Sequence, residues 1–142
     1  MEEKKVGRYW WALLIIIAIA AYNIYDYIKA NQNKKNSYLV EESVRINKDC
    51  PITVDQYTKL DSTNFVQDPI GIHYFYTVSV DKDSVAKDIE SIKSGIMRAN
   101  QNTVDTAPSM QWTRDQNASL KHHYRDRKGV DIFDFTIKPT KQ

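Results

Sequence analysis

The longest run of hydrophobic positions lies at the start of the chain, where Tyr9 to Tyr25 reads YWWALLIIIAIAAYNIY without a charged residue. Lys4, Lys5 and Arg8 precede it, and Asp26 and Lys29 follow. A helix crosses a bilayer with about 20 mostly apolar residues, so the pattern predicts a single transmembrane anchor over residues 9–28. Tyr9, Trp10 and Trp11 would mark one interface, and Tyr22, Tyr25 and Tyr27 the other. Ala18-Ile19-Ala20 also fits the small-x-small site of a secretory signal peptide, so cleavage after Ala20 is the alternative. The helical apolar pattern continues past that site, which favours an uncleaved anchor. A buried core helix is disfavoured, because Ala12 to Ala21 is apolar all round and no other segment can surround it.

Behind the anchor, ANQNKKNS (30–37) is polar and reads as a linker or as an extension of the anchor helix. Leu39, Val40, Val44 and Ile46 then allow a short helix that Pro51 stops. Ile52 to Ser62 reads as extended, and Asp68-Pro69 and Gly71 mark a turn within 64–71. From Ile72 to Val80 the alternation is strict, with Ile72, Tyr74, Tyr76, Val78 and Val80 on one face, which predicts a half-buried strand. Val85, Ile89, Ile92 and Ile96 recur at helical spacing, with Asp81 or Asp83 placed to cap the helix. Ser109 to Gln116 predicts a short helix ended by a left-handed Asn117. Leu120–Arg125 and Val130–Ile137 predict a hairpin around Asp126-Arg127-Lys128-Gly129, a type I turn closed by a left-handed glycine. The fold class expected is therefore α+β. A transmembrane helix precedes a domain over 38–142, in which an antiparallel sheet of about four strands is packed by two or three helices.

Charge sets the orientation and narrows the partners. Basic residues flank the apolar segment on both sides, but a short basic tail before an anchor is the usual signal-anchor arrangement. Residues 1–8 are thus expected as a cytoplasmic tail, the anchor in a bacterial inner membrane, and the domain in the periplasm. The formal charge is +2, from 20 Lys and Arg against 18 Asp and Glu. The signs are interleaved, as in Asp81-Lys82-Asp83 and Arg125-Asp126-Arg127-Lys128, so the chain lacks the basic stripe of a nucleic-acid binder. Cys50 is the single cysteine, so no disulfide forms within the chain.

No residue pattern identifies a catalytic, cofactor or metal site. His73, His122 and His123 are the histidines; His122 and His123 are adjacent on a predicted strand and point to opposite faces, so they do not easily share one metal, and no local spacing provides the further ligands of a zinc site. Cys50 has no paired Cys or His motif and reads as a small apolar residue at a helix-to-strand junction. Asp55, Asp61 and Asp68 have no spacing that singles them out as acid or base. Tyr74, Tyr76, Trp112 and Tyr124 read as core packing before they read as a groove. Asn117-Ala118-Ser119 is a glycosylation sequon only in a eukaryotic secretory pathway.

Two stretches taken together carry a resemblance. They are Asn47-x-x-x-Pro51-x-x-Val54-Asp55-x-x-Thr58-x-Leu60-Asp61-Ser62 with Tyr74-x-Tyr76, and Tyr124-x-Asp126-x-x-Gly129-x-x-Ile132. The chain resembles a group of small exported or single-pass bacterial proteins of unassigned function. That resemblance implies export and an α+β fold, and it brings no active site. Cysteines often flank the last helix and close the C-terminus in that group, whereas 100–108 and 138–142 contain none here. The expected function is a membrane-anchored periplasmic accessory protein that binds another membrane or periplasmic protein, including as a subunit of a membrane or secretion assembly. In the assembly case Tyr22, Asn23 and Tyr25 would pack against another helix. An immunity or inhibitor protein against a periplasm-acting toxin is one alternative, and a periplasmic hydrolase using His123 or Asp61 is another.

Overall fold

The computed structural model describes residues 10–140 and divides the chain into two units, Met1–Lys35 and Asn36–Gln142. Helix α1 (Trp10–Asp49) takes in both the apolar segment and the Asn- and Lys-rich stretch after it. Within the first unit, every described side chain from Ala18 to Asn31 is exposed. The membrane-spanning helix expected over 9–28 is corrected here. Among the described residues, no helix is long and apolar enough to cross a membrane. From Tyr22 onward Asn23, Asp26 and Lys29 interrupt the apolar positions, and the polar run 30–37 continues the same helix. The expected cytoplasmic tail, 1–8, lies outside the described residues.

The second unit begins with the end of α1 and continues as β1 (Ile52–Thr53), β2 (Thr58–Gln67) and β3 (Ile70–Val78). Two helices follow, α2 (Lys82–Val85) and α3 (Ile89–Thr106), then a 3-10 turn at Pro108–Met110 and α4 (Gln111–Gln116). The chain closes with β4 (Ser119–Arg125) and β5 (Asp131–Ile137). The five strands lie in the order β1-β2-β3-β4-β5. The expectation of an antiparallel sheet is corrected in one place: β3 and β4 run parallel, with Ile72 opposite Leu120 and Tyr76 opposite Tyr124. A parallel pair needs a long crossover between its strands, and the helical segment from α2 to α4 supplies it.

The sheet buries one face. Ile72, Tyr74 and Tyr76 of β3 line up in register with Leu120, His122 and Tyr124 of β4, and these with Ile137, Phe135 and Phe133 of β5. Leu39 from α1 and Val104 from α3 complete the buried cluster with Ala118. In β2 a bulge at Asp61 lets both Leu60 and Thr63 turn inward, where both are buried. The opposite face carries Asn64, His73, Phe75, Lys121, His123, Asp134 and Thr136, all half-buried or exposed.

Local chemistry explains the joints. Pro51 bars helical angles at Cys50, and α1 ends at Asp49. Asn117 takes the left-handed conformation, and its amide donates to the carbonyls of Arg114 and Thr113. Gly129 has φ 81, and its amide donates to Asp126 O at 2.9 Å, closing the β4–β5 turn as its sequence predicts. The end of α1 is fixed to β2 by a small polar network. Asn47 Oδ1 accepts from Thr63 N at 2.6 Å, Asn47 Nδ2 donates to Thr63 O at 2.8 Å, and Ser43 Oγ lies 2.9 Å from Thr63 Oγ1.

Removing one partner strands the other's polar groups away from water. The substitution Asn47→Ala is expected to lower the unfolding free energy by about 1–3 kcal/mol, read by urea denaturation, whereas Lys48→Ala beside it on the exposed side leaves the midpoint unchanged.

Candidate functional site

An apolar groove of about 380 Å³ opens where the helical crossover leaves the sheet. Its floor is the end of the buried sheet face, Val78, Tyr124 and Phe133. One wall is the stripe Val85, Ile89, Ile92 and Ile96, and the other is the β1–β2 loop around Tyr57. The stripe thus divides between two roles. Ile96 packs against the core beside Met97, while Ile92 remains 38% exposed at the groove. Sequence periodicity identifies the stripe but does not show that Ile92 stays exposed while Ile96 packs on the core.

Charged groups hold the crossover wall in place. Asp81 precedes α2 but makes no side-chain cap to it. Its carboxylate instead accepts from Arg127 Nε at 2.8 Å and Nη2 at 2.9 Å, with Lys128 Nζ at 3.3 Å. The Arg127 guanidinium first, and Lys128 after it, bring this carboxyl down to about 2. Buried Asp126 accepts from Lys128 N and Val130 N within its own turn, and from Lys82 N at the start of α2 at 3.2 Å. These backbone donors, that of Val130 foremost, hold the carboxyl below the usual range. The β4–β5 turn and α2 are therefore tied together at the groove.

The residues singled out in the sequence fall in separate places. Asp55 lies on the groove rim and organises its loop, accepting from Tyr57 N at 2.7 Å and Thr58 N at 2.8 Å. Asp61 sits on the bulge and accepts from Thr77 Oγ1 at 2.6 Å, and Asp68 lies exposed in the β2–β3 turn. Cys50 is half-buried and free, its thiol pushed up by burial and by Asp49 and Asp61, the reverse of thiolate activation. Trp112 packs near Tyr38, with ring centroids 6.3 Å apart. Among the described residues no group of three or more His, Cys, Asp and Glu side chains gathers to hold a metal.

Two of the histidines have very different settings. His122 lies on the buried face, stacked between Tyr74 at 5.1 Å and Phe135 at 4.8 Å. Its Nδ1 is 3.2 Å from the Tyr76 hydroxyl, and its buried Nε2 has no hydrogen-bond partner. Burial, with His123 adding a smaller repulsion, brings this imidazole down to about 4. Burial also raises the hydroxyls of Tyr74 and Tyr76 far above the ordinary phenol value, and pushes Tyr124 up to about 12. His123 is on the opposite face, where its ring stacks on Phe75 at 4.8 Å and its Nε2 reaches His73 Nδ1 at 3.3 Å. The parallel β3–β4 register creates that meeting. An antiparallel reading of the sequence could not have found it.

Residues 30–133 match the family model of a domain of unknown function, DUF8479. The chain belongs to that family. No curated protein matches it. In fold it is similar to the pilotin EpsS from the type 2 secretion system of Vibrio vulnificus, with a TM-score of 0.58 and 11% identity over 77% of this chain and 92% of that one. It is similar to the same degree, TM-score 0.58, to a candidate secreted protein of Pseudomonas aeruginosa, at 9% identity over 74% of this chain and 89% of that one. At such identities the likeness is one of fold.

The setting of His122 makes stability depend on pH. Its unfolded imidazole takes a proton near 6.5 and its folded one near 4, so the unfolded state binds more protons between those values. Stability is full above about 6.5 and falls as the pH drops toward 4, by about 3 kcal/mol from this residue. Melting temperatures measured across that window are expected to fall with pH, and His122→Phe to reduce the slope; an equal slope in the variant assigns the effect elsewhere.

Proposed function

We propose that this DUF8479 protein is a non-enzymatic accessory subunit of a bacterial secretion assembly, acting outside the cytoplasm by binding a partner protein in the apolar groove. The observation that carries the reading is the groove itself. The α3 stripe, by sequence a helix's core face, lies there partly open beside the half-buried Val78 and Phe133 at the end of the sheet face. Its volume is in the range of sites that take small ligands or a few peptide side chains. A short amphipathic segment of a partner, offering a row of apolar side chains, is the occupant whose chemistry fits. The fold shared with a type 2 secretion pilotin supports the choice of assembly. Binding is preferred to hydrolysis because Asp55 and Asp61 are engaged in a loop and a bulge, and burial keeps the Cys50 thiol protonated.

Replacing Ile92 with a photo-crosslinking phenylalanine derivative in cells is expected to trap one discrete envelope protein, and Ile92→Glu to lose that protein on co-purification while the domain stays folded. Irradiation that traps nothing, or an undiminished complex with Ile92→Glu, counts against the groove. The compartment is tested separately in a Cys50→Ser background. A Ser94→Cys variant, at an exposed α3 position, is expected to react with a membrane-impermeant maleimide before the cytoplasmic membrane is broken; reaction only after lysis overturns the extracytoplasmic placement.

A further inference from the structure

We propose that His73 and His123 form a two-ligand site for a divalent transition-metal ion on the open face of the sheet. The site is independent of the groove, which lies at the end of the opposite, buried face. His73 Nδ1 and His123 Nε2 approach to 3.3 Å across the parallel β3–β4 pair. Two imidazole nitrogens bound to zinc at about 2.0–2.1 Å in a tetrahedral shell are separated by about 3.3–3.4 Å. The two nitrogens thus already stand at the separation that a shared metal would require.

The surroundings suit the same role. Both rings are half-buried, so each is partly restrained yet open to solvent on one side. The His123 ring lies flat on Phe75, with an interplanar angle of 7° that limits its rotation. Burial lowers both imidazoles from their ordinary value, with His123 next in effect on His73 and Lys121 next on His123. The charges facing His123 are those of Lys121 and Arg125 on β4 and of Asp131 and Asp134 on β5. Two ion pairs among them, Lys121 with Asp134 at 3.4 Å and Arg125 with Asp131 at 2.9 Å, offset the repulsion that the cations would exert on an incoming ion.

Without an ion, one ring nitrogen donates its proton to the other. On binding, the donor ring carries that proton on its other nitrogen instead, so the exchange needs no net release. Two protein ligands leave the remaining positions to water, which makes the site open and exchangeable rather than structural. Imidazole donors favour copper, zinc and nickel over magnesium and calcium, with copper the tightest.

The test is calorimetric titration of the untagged full-length chain at pH 7.5 with CuCl2, ZnCl2 and MgCl2 in turn. One Cu²⁺ per chain, weaker Zn²⁺ binding and no response to Mg²⁺ are expected. His73→Ala and His123→Ala should each weaken Cu²⁺ by on the order of tenfold or more, with circular dichroism confirming that each variant is folded. A second readout needs no variant. Substoichiometric Cu²⁺ should selectively broaden the NMR signals of the His73 and His123 imidazoles, and leave those of buried His122 sharper. Absence of copper binding, affinity unchanged in both variants, or broadening centred elsewhere on the chain overturns the site.

Discussion

The parallel contact between β3 and β4 is the constraint on which the domain depends. Where the two strands meet, Gly71 lies so close to Ser119 that a side chain at this position would run into the Ser119 carbonyl. Hydrogen replaces a methyl here because the neighbouring backbone occupies the space. Ser119 Oγ then donates to Ile70 O at 3.3 Å, so the same residue that crowds the glycine also ties the start of one strand to the start of the other. From that point the register runs forward without slip to Thr77 and Arg125. It puts Tyr76 against Tyr124 on the buried face and brings His73 to His123 on the open one.

The buried face that results is unusually aromatic. Tyr74, Tyr76, His122, Tyr124, Phe133 and Phe135 form a continuous series of ring contacts, with neighbouring centroids as near as 4.6 Å. Such pairs add to what area burial provides, but polar tips must also be met inside. His122 shows the compromise: one ring nitrogen finds the Tyr76 hydroxyl and the other finds nothing. A hydrocarbon there would leave the tyrosine unpaired, so the imperfect imidazole answers one polar group while leaving another unanswered.

Much of the second unit was legible from short-range pattern. Alternation located β3, the Asp126–Gly129 turn located the β4–β5 hairpin, and Asn117 marked the end of α4, because each rests on dihedral preference or period and needs no distant partner. What was missed depends on neighbours far along the chain. Sequential strands joined by short turns suggest antiparallel pairing throughout, yet the segment between β3 and β4 is helical and long enough for a crossover. The bulge at Asp61 inverts the facing of β2 and hides its alternation. The apolar N-terminal run suggested a membrane span, whereas α1 carries polar residues through 30–37 and on to Asp49. The His73–His123 pair was invisible, since two residues fifty positions apart meet only once the parallel register is known.

The tie between the hairpin turn and α2 has a mechanical side. α2 buries no residue of its own, so the start of the groove wall is held by the carboxylates of Asp81 and Asp126, while further along α3 Ile96 packs against the core. Exposed ion pairs such as Asp81 with Arg127 weaken as ionic strength rises, while the backbone donors gathered on Asp126 are less sensitive to salt. The start of the wall thus has two fastenings of different kinds, one that solution ions weaken and one that they affect less. Local opening of this kind belongs to the low end of a protein's stability spectrum.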